Sequence, residues 1–133
     1  MTSGDRTLEL CVPLALRARH SLEEREVLHE HLWRVLVTVT GPLREGRIAS
    51  LPALQAELDT HLQPLRETDL NGNSALDSET RKHPTCECLA LFLESKIRAS
   101  LAKPPWSHLQ LTEIVVSVEE MDGTQTGFAR LRV

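Results

Sequence analysis

The feature that most constrains the fold is a strict alternation of apolar and other side chains over residues 7–19. One face carries Leu8, Leu10, Val12, Leu14, Leu16 and Ala18, and the other carries Glu9, Cys11, Arg17 and Arg19. A period of two over a dozen residues predicts a long strand that is buried on one face. Pro13 within this strand indicates an edge position or a bulge, because proline has no N–H to donate to a neighbouring strand.

A second strand is predicted over residues 28–40, which are rich in valine and threonine and end at Gly41-Pro42. The connection between the two strands is charged, over residues 23–26. Two strands joined in this way predict a long antiparallel hairpin.

Two helices are predicted after the hairpin. Ser50 is a suitable N-cap, and leucines follow it at helical spacing until Pro64 stops the helix. Thr85 is a suitable N-cap for the second helix, with Glu87 in its first turn where a negative charge favours the helix dipole.

Two more strands are predicted over residues 114–120 and 127–133, joined by a turn at Asp122-Gly123. The order is therefore β-β-α-α-β-β, and helices placed between two hairpins indicate an α+β fold. We expect an antiparallel four-stranded sheet with both helices on one face, and one domain spanning residues 1–133.

Composition excludes several classes of function. No apolar stretch approaches the roughly 18 residues of a membrane span, and no N-terminal signal is recognisable. The net charge of −4 and an aromatic content of 3% give no footprint for nucleic acid. Cys11, Cys86 and Cys88 lack metal or redox spacing, so we expect reduced thiols in a cytoplasmic protein.

Three histidines form the candidate site. His29 and His31 are two residues apart, so in a strand their side chains share a face. Closure of the hairpin brings His20 close to both. Three neutral imidazoles without a fourth protein ligand suit an open zinc site that polarises a substrate oxygen. The alternative interpretation is three unrelated surface histidines at strand ends.

The chain resembles the family of 6-pyruvoyltetrahydropterin and 6-carboxytetrahydropterin synthases. The resemblance is carried, in order and spacing, by residues 16–20 (LRARH), 28–31 (LHEH), 84–87 (PTCE) and 116–120 (VSVEE). It covers nearly the whole chain, and it implies the tunnelling fold of that family. It also implies a homohexamer built as a dimer of trimers, with a pterin pocket between subunits.

The resemblance assigns roles to individual residues. It implies that Zn²⁺ is held by His20, His29 and His31. It implies that Glu120 accepts two N–H bonds from the pterin ring, a charge-assisted pair. Thr85 and Glu87 match residues that help to hold the pterin, although a helix cap and a first-turn acid explain them as well.

The catalytic positions of the family are changed in this chain. Its cysteine corresponds to Arg25, and its aspartate–histidine pair corresponds to Arg66 and Glu67. An arginine cannot act as a base at neutral pH. One branch of the family uses a glutamate three residues before the histidine pair, and Glu26 fits that pattern. We therefore take Glu26 and Glu67 as the candidate catalytic residues, with Arg66 holding the charge of Glu67.

A further departure is Glu30, where the family has glycine between the two histidines; on a strand its side chain points to the opposite face. The resulting hypothesis is a zinc-dependent lyase that acts on the side chain of 7,8-dihydroneopterin or its triphosphate. The alternatives are a catalytically inactive pterin- or metal-binding homologue and a metal enzyme for another heterocycle. Fold resemblance alone does not choose among them.

Overall fold

A computed structural model describes residues 6–22, 28–120 and 122–133 of the chain. Its strands and helices are β1 (Glu9–His20), β2 (His29–Thr40), α1 (Leu51–Asp59), α2 (Ser78–Lys82), α3 (Cys86–Leu101), β3 (Gln110–Glu119) and β4 (Gln125–Arg132). Two short 3₁₀ turns, Gln63–Leu65 and Leu70–Gly72, lie between α1 and α2. Among the described residues, no helix is long and apolar enough to cross a membrane.

The four strands form one antiparallel sheet in the order β1-β2-β3-β4. The hairpin of β1 and β2 has an unbroken register in which His20 lies opposite His29 and Ala18 lies opposite His31. The longer helices cover one face, with α1 against β1 and α3 against β3 and β4. The predicted α+β class and element order are confirmed, with α2 as an additional short helix.

The core lies between this face of the sheet and the helices. The alternation that predicted β1 is confirmed, because the buried residues of β1 are Val12, Leu14, Leu16, Ala18 and His20. In β2 the buried row includes Trp33, Val35, Val37 and Val39, and the helices contribute leucines such as Leu54, Leu58, Leu89 and Leu93. The same alternation therefore fixes which side chains of each strand face the helices.

The first helix ends earlier than predicted. α1 stops at Asp59, and the chain then tightens into 3₁₀ geometry, in which Leu62 N–H donates to the Asp59 carbonyl and Leu65 N–H to the Leu62 carbonyl. Leucine spacing alone does not separate these two helical forms. Ser50 occupies the N-cap without a side-chain cap bond, and Pro52 has removed one of the two N–H donors that a cap uses.

The other two helices have side-chain N-caps. Thr85 caps α3 as predicted, because its hydroxyl accepts a hydrogen bond from the backbone N–H of Cys88 at 3.1 Å. The short α2 was not predicted, and the carboxylate of Asp77 accepts a hydrogen bond from Thr80 N–H at its start. Five residues are too few for a helical periodicity to be recognised in sequence.

β1 is an edge strand, as Pro13 predicted, and part of its outer edge is closed by side chains. Gln55 Nε2 donates to the Pro13 carbonyl at 2.6 Å, and Arg66 Nη2 donates to the Ala15 carbonyl at 2.9 Å. These bonds satisfy strand carbonyls that would otherwise be open to pairing with another strand.

The end of this edge nearest His20 is closed by the backbone of the segment that follows α1. Glu67 N–H donates to the Arg17 carbonyl at 2.8 Å, and Arg19 N–H donates to the Thr68 carbonyl at 2.9 Å. The segment therefore runs beside the end of β1 that carries His20.

A buried serine fastens α1 to α3. Ser100 is 1% exposed, its Oγ donates to Glu57 Oε2 at 2.7 Å, and it lies 2.7 Å from His61 Nε2. The single hydroxyl proton of Ser100 is donated to Glu57, so Ser100 Oγ can only accept from His61. The Nε2 atom of His61 must therefore carry a proton and donate it to Ser100 Oγ. The Ser100 bond lowers the pKa of Glu57, and burial lowers the pKa of His61.

We expect Ser100→Ala to lower the free energy of unfolding by about 1–3 kcal/mol, because His61 and Glu57 lose a common partner. The measurement is urea denaturation at neutral pH. Ser95→Ala is the matched control, since the exposed Ser95 hydroxyl donates to the Phe92 carbonyl of its own helix. Equal stability of the two variants would contradict the interpretation.

The same contacts predict the sign of a pH effect. Both pKa values are lowered by folding, so the unfolded chain binds protons more readily than the folded chain. The free energy of unfolding should therefore fall as pH drops from 7 through the ordinary values of 6.5 for His61 and 4.5 for Glu57. In Ser100→Ala the decrease in the free energy of unfolding near the Glu57 value of 4.5 should be smaller, because the bond that lowers the pKa of Glu57 is absent.

Candidate functional site

Three histidines lie together at the end of the first hairpin where β1 leads into the connection to β2. The ring centroids of His20 and His31 are 4.8 Å apart, and those of His29 and His31 are 6.0 Å apart. His20 and His31 are buried, whereas His29 is exposed. The structure therefore brings together the three rings that sequence reasoning selected, and we refer to them as the histidine cluster.

The ring of His20 has a defined tautomer. Its Nδ1 lies 2.9 Å from the carbonyl oxygen of Pro84, the residue that precedes the cap of α3. A carbonyl oxygen only accepts, so in the neutral ring Nδ1 carries the proton and Nε2 carries the lone pair. A backbone carbonyl on the second ring nitrogen is the arrangement typical of histidines that bind metals.

His31 differs from His20 in its hydrogen bonding. Its Nδ1 is buried and has no hydrogen-bond partner among the described residues. Glu120 Oε2 lies 3.7 Å from this nitrogen, beyond hydrogen-bonding distance. Glu120 directly follows β3, where its N–H donates to the Thr124 carbonyl at 2.8 Å and its carbonyl accepts from Gly123 N–H at 2.9 Å. A tight turn therefore holds the predicted pterin anchor beside the cluster.

Trp33 forms the floor of the cluster. Its ring meets the rings of His20 and His31 edge-on, at centroid distances of 5.0 and 6.2 Å. The indole N–H donates to the Ala18 carbonyl at 3.3 Å, and the side chain is fully buried. Sequence reasoning missed this residue, although its position two residues after His31 places it on the same face of β2.

A cavity of about 300 Å³ opens beside the cluster. It is lined by His20, Leu22, Trp33, Thr85, Cys86, Glu87, Val118, Gly127 and Phe128. The predicted binding residues Thr85 and Glu87 are therefore at this cavity. The contributions of β3 and β4 to its wall were not predicted, because they depend on how the second hairpin packs across the sheet.

Cys86 also lines the cavity and was predicted to be a reduced thiol. It is a free cysteine, as are Cys11 and Cys88. Burial, with a smaller contribution from the neighbouring Glu87 carboxylate, raises the pKa of Cys86 to about 11. This thiol therefore stays protonated at neutral pH and is not an activated nucleophile.

Of the two candidate catalytic glutamates, the structure describes only Glu67. Glu26 lies outside the described residues, as do residues 23–25. Glu67 is exposed beside the outer edge of β1, and its φ of 58° is in the left-handed region. It is not among the residues that line the cavity of its own chain.

The expectation that Arg66 holds the charge of Glu67 is wrong. Both terminal nitrogens of Arg66 bind the carboxylate of Asp59, at 3.0 Å for Nη1 and in a shorter contact for Nη2. Arg66 thus ties the end of α1 to the edge of β1. The prediction failed because α1 ends at Asp59, which sequence spacing did not reveal.

Glu30 lies on the face opposite the histidines, as predicted. It pairs with its cross-strand neighbour Arg19, with 3.7 Å between Glu30 Oε2 and Arg19 Nη1. Arg19 also pairs with Asp69 and donates to the Glu67 carbonyl at 2.9 Å. These contacts lie on the outer face of the hairpin end. The opposite face carries the imidazole rings of the histidine cluster.

The donor chemistry of the cluster fits a zinc ion. Neutral imidazole nitrogens are typical zinc ligands, and the hydrogen bond to His20 Nδ1 leaves Nε2 as its ligand atom. In the described residues, no group of three or more histidine, cysteine, aspartate and glutamate side chains is arranged closely enough to hold a metal as it stands.

Comparison with known proteins is consistent across sequence and structure. The family model described as 6-pyruvoyl tetrahydropterin synthase matches residues 10–129. No curated protein matches the chain.

Several solved structures share the fold. The 6-pyruvoyl tetrahydropterin synthase of Caenorhabditis elegans has a TM-score of 0.65 at 14% identity, covering 96% of each chain. That of Plasmodium vivax has a TM-score of 0.64 at 15% identity, covering 97% of this chain and 100% of that one. An uncharacterized protein from Wolinella succinogenes has a TM-score of 0.69 at 12% identity, covering 96% of this chain and 99% of that one.

We expect Trp33→Phe to displace the two buried histidine rings, because the indole ring that packs against them becomes smaller. The free energy of unfolding should fall by about 1–3 kcal/mol, because the hydrogen bond from the indole N–H to the Ala18 carbonyl is also lost. The measurements are urea denaturation and the NMR shifts of the His20 and His31 rings. Trp106→Phe is the control, a buried tryptophan outside the cavity wall. Unchanged ring shifts in Trp33→Phe would contradict its role as a floor.

Proposed function

Because the chain belongs to the 6-pyruvoyl tetrahydropterin synthase family, a family of pterin-related enzymes, we propose that it is a zinc-dependent lyase acting on the side chain of a dihydropterin. The substrate class is 7,8-dihydroneopterin or its triphosphate, and the reaction breaks a carbon–oxygen or carbon–carbon bond. The observation that carries the proposal is the histidine cluster beside a cavity that also meets the helix cap Thr85.

His20, His29 and His31 are the residues that would hold the metal. When bound, zinc supplies Lewis-acid chemistry, polarising a substrate oxygen and stabilising negative charge that develops on it. The chain contributes the orientation of the rings. Trp33 supports His20 and His31 from below, and the Pro84 carbonyl fixes the tautomer of His20.

The heterocycle would be held at the cavity by residues of three elements. The half-exposed Glu120 carboxylate has lone pairs for two N–H groups of an aminopyrimidinone ring. The Thr85 oxygen accepts from Cys88 N–H, so its own proton remains available for a ring acceptor. Val118 and Phe128 add apolar wall on which a flat ring packs.

Proton transfer is assigned to Glu26 and Glu67. A solved Plasmodium vivax synthase is described as a variant with alanine at a catalytic glutamate, so a glutamate serves that enzyme. In this chain Glu26 has the spacing expected of such a residue. Glu67 lies away from the cavity of its own chain, so its participation requires the homohexamer, a dimer of trimers with sites between subunits, that the family resemblance implies.

A second candidate function is a pterin-binding homologue without catalysis. Arg66 is bound to Asp59 and Glu67 is not among the residues that line the cavity, so neither replaces the family's aspartate–histidine pair within one chain, and both observations favour this function. The two functions share the same anchor and metal residues, and they differ only in turnover.

The decisive experiment is incubation of the zinc-loaded protein with 7,8-dihydroneopterin and, separately, its triphosphate, followed by mass spectrometry. A 6-hydroxymethyl-7,8-dihydropterin product would support carbon–carbon cleavage, and a tetrahydropterin product would support side-chain conversion. Glu26→Gln and Glu67→Gln should abolish turnover while retaining metal, and His29→Ala should lose both. Unchanged substrates with metal bound would overturn the lyase proposal, and loss of pterin affinity in Glu120→Ala would then support the binding homologue.

Gly127 offers a steric test of the cavity. A Cβ added at this residue meets no atom of the described residues within 4 Å, so there is open space for a larger side chain at this point of the cavity wall. We expect Gly127→Leu to weaken dihydropterin binding at least tenfold, equivalent to about 1.4 kcal/mol, and to retain zinc.

The measurements for Gly127→Leu are isothermal titration with 7,8-dihydroneopterin and zinc content by mass spectrometry. Gly72→Leu is the control, because Gly72 is also in open space but is not part of the cavity wall. Wild-type pterin affinity in Gly127→Leu would place the ligand elsewhere.

A further inference from the structure

His31 is a buried ring that lacks one hydrogen bond. The residue is 7% exposed, and its Nδ1 has no partner in the part of the chain that the structure describes. A buried polar atom without a hydrogen bond lowers stability, so such an atom in a native fold calls for an explanation. Either protonation state leaves the need unmet, because a protonated Nδ1 requires an acceptor and an unprotonated one requires a donor.

Glu120 is the charged group in contact with this atom. The distance of 3.7 Å between Glu120 Oε2 and His31 Nδ1 is less than 1 Å longer than an N–H···O hydrogen bond. The backbone of Glu120 is fixed at the end of β3, while its side chain is 48% exposed and has room to move. Closing the contact therefore needs a movement of the Glu120 side chain and not of its backbone.

A second buried histidine shows how an acceptor at Nδ1 fixes the tautomer of a neutral ring. His20 donates its Nδ1 proton to the Pro84 carbonyl, and its Nε2 is left with the lone pair. A carboxylate can only accept at neutral pH, so a bond from Glu120 imposes the same tautomer on His31. The two buried rings would then both bind metal through Nε2.

We propose that Glu120 is a positioning residue for His31: its carboxylate accepts the Nδ1–H of that ring and leaves Nε2 as the metal-binding atom. The inference rests on the proposed metal site. It adds a second role for Glu120 beside anchoring a heterocycle, and the two roles are compatible because a carboxylate has about four lone-pair sites. Metal binding and heterocycle binding then share one side chain.

The test compares Zn²⁺ affinity, measured by competition with a chelating dye, in wild type, Glu120→Ala and Glu120→Gln. We expect Glu120→Ala to weaken Zn²⁺ binding roughly 10- to 100-fold, the range found when outer-shell partners of metal ligands are removed. Glu120→Gln should retain most of the affinity, because its amide oxygen still accepts the Nδ1–H. Glu119→Ala is the matched control, since it removes the same charge one residue earlier, where the carboxylate pairs with Arg34.

The readout independent of metal and activity is the ¹⁵N NMR spectrum of His31 in the metal-free protein. We expect the Nδ1–H tautomer in wild type and a mixture of tautomers in Glu120→Ala. The same tautomer populations in both proteins, or equal Zn²⁺ affinity in Glu120→Ala and Glu119→Ala, would overturn the inference. If wild type binds no Zn²⁺, the proposed function fails, and the NMR comparison alone decides whether Glu120 orients His31.

Discussion

The pairing of β1 with β2 in a single register is the constraint on which the site depends. Because side chains alternate between the two faces of a strand, a slip of one residue would turn His31 and Trp33 to the outer face. Such a slip would also expose the buried valines of β2. The apolar pattern that builds the core therefore fixes the positions of the histidines as well. His20 needs the same register, since it meets His29 across the last pair of the hairpin.

The two buried histidines occupy positions that continue the core rows of their strands. In β1 the buried row continues from Leu16 and Ala18 to His20. In β2, followed back towards its first residue, the buried row continues from Trp33 to His31. Apolar residues at these two positions would extend the core without any demand for hydrogen bonds. The fold instead holds two polar rings there, and the bonding of His31 is incomplete among the described residues. Such a local departure from good packing is expected where function, rather than stability, selects the residue.

Features that depend on short-range pattern could be predicted from the sequence. The period of two in β1, the N-cap at Thr85 and the spacing of His29 and His31 led to the correct strands, helix start and shared face. Contacts between elements that are distant in sequence could not be predicted in this way. The cavity wall from Gly127 depends on how β4 packs, and the partner of Arg66 depends on where α1 ends. Neither has a local signature in the chain.

The contacts of Arg66 bear on how this chain departs from its family. Arg66 donates to both Asp59 and Ala15, so the position that the family resemblance matched to a catalytic residue holds a side chain that closes the edge of β1. The next residue, Glu67, is bonded through its backbone to the same edge. The residues proposed for ring recognition and metal binding lie at the end of the hairpin and around the cavity, and this change leaves them in place. These two departures therefore fall on positions at the outer edge of β1, away from the histidine cluster and the cavity wall of the same chain.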